Sequence, residues 1–122
     1  MVIKIQTKKK GIPVLLGDLE FLVGTSDADI EKYSRLHAEV TEVFSKVDEA
    51  TTFEELHPVL ERGYDGLLGE GSFAKVYEMD GSTINCADYL SAIYIGVFEE
   101  FEKMANVDTQ KAKIDKYLKN KK

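Results

Sequence analysis

Leu67-Leu68-Gly69-Glu70-Gly71-Ser72-Phe73-Ala74-Lys75-Val76-Tyr77 decides how this chain is read. Two glycines two apart, followed by an aromatic residue and a valine, suggest a loop that grips phosphate. Residues 69–76 follow much of the protein-kinase glycine-loop pattern, with Ala74 where the third glycine belongs. That pattern works only as part of a set, and the sequence has no Val-Ala-Ile-Lys strand, His-Arg-Asp loop or Asp-Phe-Gly site. Its 122 residues are also too few for a kinase domain. Taken as Gly-x-Gly-x-x-Ala, the segment approximates a dinucleotide fingerprint, which requires a buried strand in front of it. The residues in front instead place Val59, Leu60, Tyr64, Leu67 and Leu68 at helical spacing. The stretch is therefore a helix-to-helix junction, in which Gly69 ends one helix in the left-handed conformation and Ser72 caps the next.

Working outward, the helix before the junction opens at Thr52-Phe53-Glu54-Glu55, a capping-box sequence. Pro58 removes a hydrogen bond about two turns in and is expected to kink or restart this helix, while Gly63 and Gly66 weaken its end. An earlier helix, from about Asp27 to Val47, is capped by Ser26 and carries Ile30, Tyr33, His37, Val40, Phe44 and Val47 as one apolar stripe. His37 lies inside that stripe and is read as a packed core histidine. N-terminal to it, Val2-Ile3-Lys4-Ile5-Gln6, Ile12-Pro13-Val14-Leu15-Leu16 and Leu19-Glu20-Phe21-Leu22-Val23 alternate as three short strands, separated by Lys8-Lys9-Lys10-Gly11 and Gly17-Asp18. Pro13 assigns the second of them to an edge, or marks its start.

After the junction, Ser72 to Met79 forms two turns, which Asp80-Gly81-Ser82 stops; Asn85 then caps the last long helix. Cys86, Leu90, Ile93, Val97, Phe101 and Met104 face the core, and Tyr89, Tyr94, Ile95 and Phe98 widen the stripe. A stripe that broad means either burial on two sides or a partner surface. Asn106 to Thr109 either interrupts this helix or passes into the lysine-rich end, where Ile114, Tyr117 and Leu118 keep a thin apolar face. The expected fold is α+β, mostly α: one domain with a short β-meander over residues 1–24, a body of about four helices over 25–105 and a lysine-rich helical tail over 106–122.

With 43% apolar and 31% charged residues the chain has the composition of an ordinary globular protein. No segment approaches the ~20 apolar residues of a membrane span, and the N-terminus lacks a signal-peptide pattern, so a cytoplasmic, membrane-free location is expected. The net charge of -6 argues against nucleic-acid binding. Residues 111–122 hold six lysines against one aspartate, which leaves the preceding body strongly acidic. Cys86 has no second cysteine to pair with and is read as a buried structural thiol. No Gly-x-Ser-x-Gly elbow, His-Glu-x-x-His helix or acid-rich calcium loop is present. No catalytic residue, metal ligand or cofactor site is assigned, and binding is the expected class of function.

The order of elements carries a family resemblance. A β-meander ending in Gly17-Asp18 and Leu19-Glu20-Phe21, an acid-capped helix with Asp29-Ile30-Glu31-Lys32-Tyr33, the run Tyr64-Asp65-Gly66 through Tyr77 and a long final helix resemble the tail assembly chaperones of long-tailed phages and prophages of Gram-positive bacteria. The resemblance spans roughly Val2 to Met104 and is sharpest at the junction; members of that family usually carry a bulkier residue where Gly66 stands. It implies a non-enzymatic protein of the host cytoplasm, absent from the finished virion. Such a protein coats the tape-measure protein, keeps it soluble, brings tail-tube subunits to it, and self-associates into rings or spirals. A longer form made by frameshifting near the end of the reading frame is implied as well. Tyr94, Phe98, Phe101 and Tyr117 are the expected partner-binding residues. The rival expectations are a virion structural or connector protein and a nucleotide-binding enzyme built on the glycine junction.

Overall fold

The computed structural model describes residues 1–5 and 11–104. Two antiparallel strands, Gly11–Leu16 (β1) and Leu19–Gly24 (β2), are followed by helices Asp27–Ser45 (α1), Phe53–Leu68 (α2), Ser72–Asp80 (α3) and Thr83–Met104 (α4). The class is α+β, mostly α, as expected.

The strands are joined by Gly17-Asp18, and the φ of +59° at Gly17 is what a type II′ turn needs at its first central residue. Ile12↔Val23, Val14↔Phe21 and Leu16↔Leu19 pair on the inner face, where Val23 is fully buried; Pro13↔Leu22 and Leu15↔Glu20 pair on the outer face. The expected first strand does not form over Val2–Ile5, which carry no secondary structure and are exposed. In a meander this segment pairs with the outer edge of β1, and there Pro13 offers no N–H. Gln6 and the Lys8–Lys10 turn lie outside the described residues, as do residues 106–122.

α2 is the hub of the body. Leu56, Val59, Leu60, Gly63, Tyr64, Leu67 and Leu68 are buried at three- and four-residue spacing, and the helix packs on α1, α3, α4 and β2. Full burial of a leucine or valine such as Leu60 is worth about 1.5–3 kcal/mol. Thr52 caps it, its hydroxyl accepting from the Glu55 N–H at 3.2 Å. The break expected at Pro58 is absent, and α2 runs continuously from Phe53 to Leu68. Pro58 itself is exposed, and its neighbours Leu56, Val59 and Leu60 are buried, which holds the helix on both sides of the missing hydrogen bond. Nor do Gly63 and Gly66 merely weaken the end. A Cβ at Gly63 would come within 2.8 Å of Leu90 and 3.1 Å of Val40, and one at Gly66 would meet the tip of Leu36. Both glycines let neighbouring helices approach α2 closely.

Two buried phenols fasten α2 to α4. Tyr64 donates to the Cys86 carbonyl, and Tyr94 donates to the Gly63 carbonyl at 3.0 Å. α1 starts with the expected cap: Ser26 Oγ accepts from the Asp29 N–H at 3.1 Å, and the Asp29 carboxylate accepts from the Ser26 N–H at 3.3 Å. α4 starts differently from expectation. Its cap is Ser82, whose hydroxyl accepts from the Asn85 N–H at 3.2 Å, while the Asn85 side chain donates to Asp80 at 3.0 Å. Left-handed Gly81 turns the chain sharply enough for α4 to begin at Thr83, ahead of Asn85.

Candidate functional site

At the glycine junction, Gly69 ends α2 with φ +108° and ψ 156°, outside the left-handed helical region expected for it. Gly71, at φ +85° and ψ -2°, is the left-handed residue and occupies the N-cap position of α3, so Ser72 is the first residue of the helix and not its cap. A glycine cap has no side chain to offer, and Asp65 of α2 supplies the acceptor instead. Its carboxylate takes the Phe73 N–H at 3.1 Å and the Ser72 hydroxyl at 3.3 Å. A carboxylate thus sits on an amide and a hydroxyl that a phosphate would need, and repels an anion there.

The aromatic residues of α4 are spent largely inside the molecule. Tyr94 and Phe101 are 1% and 8% exposed, so the partner surface expected of them is corrected to core. Phe98 is half-buried, packed against His37, Tyr94 and Phe101 with ring centres 5.4, 6.0 and 6.1 Å away. Tyr117 lies outside the described residues. The periodicity of α4 showed a broad stripe, but the facing partner that absorbs it, the Tyr33 and His37 side of α1, is a tertiary contact that no local pattern displays.

That same packing leaves a groove at the other end of the helix pair. α1 and α4 run antiparallel, with Tyr33 stacked on Phe101 and His37 packed at a tilt against Tyr94, so bulky rings close the gap there. One to two turns further along, small residues face each other: Thr41 and Ser45 from α1, Ala87 and Ser91 from α4. They are too short to meet, and a cavity of about 390 Å³ opens over Val40, Phe44 and Leu90. A second cavity of about 370 Å³ continues it past Val47, Phe53, Leu56 and Ile84, the two sharing Phe44, Ala87 and Asp88. From Thr83 to Tyr94 the combined groove is about 16 Å long, three turns of helix.

The walls are apolar and partly solvated: Val47, Phe53 and Ile84 are 43%, 59% and 63% exposed. Asp48 and Asp88 are the charged groups among the described lining residues, which include no lysine or arginine. Asp48 is held in place by its own turn, its carboxylate accepting from the Ala50 N–H at 2.8 Å and its N–H donating to Thr51 Oγ1 at 3.0 Å. An elongated, apolar furrow with an acidic rim suits an amphipathic helix with basic flanks. Val47 belongs to the α1 stripe in sequence, but Phe53 and Ile84 look like isolated surface residues until the fold brings them together.

Elsewhere several titratable groups make structural contacts. His57 lies 2.8 Å from the Thr83 hydroxyl and packs edge-on against Tyr77 and Phe73. Cys86 is fully buried, and burial pushes its thiol up from its ordinary range. Burial likewise raises the Tyr64 and Tyr94 phenols. Hydrogen bonds from Tyr89 at 2.6 Å and Asn85 hold the Asp80 carboxyl below the usual carboxylate range, tying the end of α3 to the start of α4. Among the described residues no cluster of histidine, cysteine and acidic side chains has metal-site geometry, and no helix is long and apolar enough to cross a membrane.

Compared with protein families, curated proteins and solved structures, the chain matches none.

Proposed function

We propose that this chain is a tail assembly chaperone of a long-tailed phage or prophage. It binds and solubilises the tape-measure protein in the host cytoplasm, helps recruit tail-tube subunits and is left out of the mature virion. The observation that carries this reading is the α1–α4 groove, three turns long, apolar along its floor and flanked by Asp48 and Asp88. A tape-measure protein is a long helix with a continuous apolar stripe, insoluble on its own until that stripe is covered. Each copy of this chain covers about three turns, so many copies act along one tape measure, and self-association places them in succession. The work needs no cofactor, because shielding an apolar stripe is a matter of buried area.

Co-expression with the tape-measure protein of the same phage tests the reading. The expected result is a tape measure that moves into the soluble fraction and co-purifies with several copies of this chain. An insoluble tape measure, together with recovery of this chain from purified particles, replaces the reading with that of a virion structural protein.

A further inference from the structure

The N-terminal hairpin is an unfinished sheet. Among the described residues β1 and β2 have no third strand, and a two-stranded sheet is marginal on its own. The two edges are not equivalent. The two-residue turn makes Leu16↔Leu19 the closing hydrogen-bonded pair, so Leu15↔Glu20, Pro13↔Leu22 and Gly11↔Gly24 turn their backbone groups outward. On β1 that outward row is interrupted at Pro13, which has no N–H. On β2 it presents Glu20 and Leu22, each with a donor and an acceptor. Leu22 is 67% exposed and, with Leu15 at 71%, forms an apolar outer face.

The chain also contains a strand-patterned segment without a sheet. Val2, Ile3 and Ile5 are about four-fifths exposed, at 80%, 79% and 82%, although Val2-Ile3-Lys4-Ile5 has the alternating, β-branched pattern of a half-buried strand. Laid antiparallel along β2 with Lys4 opposite Glu20, this segment puts Val2 opposite Leu22 on the outer face. Ile3 and Ile5 then fall opposite Phe21 and Leu19 and extend the inner apolar row. The register matches charge with charge and apolar with apolar at all four positions. Its own hairpin cannot receive it in this way. A strand antiparallel to β2 is parallel to β1, and a parallel crossover takes about a dozen residues, whereas only Gln6 to Lys10 separate Ile5 from Gly11.

We infer that residues Val2–Ile5 of one copy add as a third strand to the β2 edge of a second copy of this chain. The fold thereby carries a link between copies that is separate from the α1–α4 groove. It needs nothing but the chain itself, so its failure bears on how copies are linked and leaves tape-measure binding by the groove to be judged by co-expression.

Sedimentation of the purified full chain over a range of concentrations tests the inference. The wild type is expected to associate reversibly. Leu22→Pro removes an outward N–H together with the side chain that faces Val2, while the β1–β2 hydrogen bonds do not use that N–H, and it should weaken association about tenfold or more. Lys4→Glu sets like charges opposite each other and should weaken it several-fold; combining it with Glu20→Lys should restore it. Lys4 lies outside the folded body, so its effect cannot be a folding defect. In concentrated wild-type samples the Glu20 and Leu22 amides should also exchange slowly. A chain that stays monomeric throughout, or one whose association ignores both Leu22→Pro and the Lys4–Glu20 exchange, overturns the inference.

Discussion

Replacing Gly63 by alanine asks whether α2 and α4 are as close as the buried Tyr94–Gly63 hydrogen bond requires. Two effects oppose each other. Alanine in place of glycine inside a helix stabilises by about 1 kcal/mol. Against this, the new methyl group would lie 2.8 Å from Leu90 Cδ2 and 3.1 Å from Val40 Cγ2, well inside ordinary contact. Leu90 and Val40 both border the α1–α4 groove, so the methyl group is accommodated either by turning these packed side chains into that space or by displacing α4, and both cost packing. Overpacking of this kind costs about 1–3 kcal/mol. The crowding wins, and Gly63→Ala should lose about 1 kcal/mol net. Gly96→Ala is the internal control, since nothing lies within 4 Å of its Cβ and it sits mid-helix in α4. That change should gain about 0.5–1 kcal/mol. Urea unfolding of the two variants beside wild type should therefore separate them by about 2 kcal/mol, with melting temperatures some 5–10 °C apart. Equal stabilisation by both substitutions would refute the close α2–α4 contact, and with it the hub role of α2.

Three further outcomes follow from the same packing. Asp65→Ala removes the acceptor that caps α3 and should cost about 1 kcal/mol in thermal or urea unfolding, with Asp65→Asn recovering most of it. Burial holds the Tyr64 and Tyr94 phenols protonated above their ordinary range, so the folded chain keeps protons that the unfolded chain releases. Their contribution is complete below about pH 10 and is lost as the pH rises beyond it; urea midpoints measured at increasing alkaline pH should fall, and less steeply in Tyr94→Phe. Cys86, buried and with its thiol pushed up, should react with a thiol reagent only at the rate of unfolding, and fast labelling of the native chain contradicts its placement.

Much of this fold is legible from local pattern. Ser26 with Asp29, the Gly17-Asp18 turn and the spacing from Leu56 to Leu68 each name their own structure, because caps, turns and helix faces are decided within a few residues. What escapes local reading depends on partners far along the chain. Asp65 caps a helix it does not belong to, and Gly63 is required by Leu90 and Val40. Tyr94 and Phe101 look surplus until α1 covers them. The groove is the extreme case. Ala87, Ser91, Thr41 and Ser45 are unremarkable small residues in sequence, and only their juxtaposition leaves a space between two helices.

The groove is the centre of this account, and exposed wall residues give the most direct access to it. Val47→Asp combined with Ile84→Asp places charge on the groove walls without touching the buried core. Under the proposed function, variant and wild type are each co-expressed with a candidate tape-measure protein, and the amount of it recovered with each is measured. The account predicts that the wild type brings the tape measure through purification and that the variant, unchanged in fold and melting temperature, leaves most of it behind. Equal recovery with both proteins would contradict the groove as the binding surface.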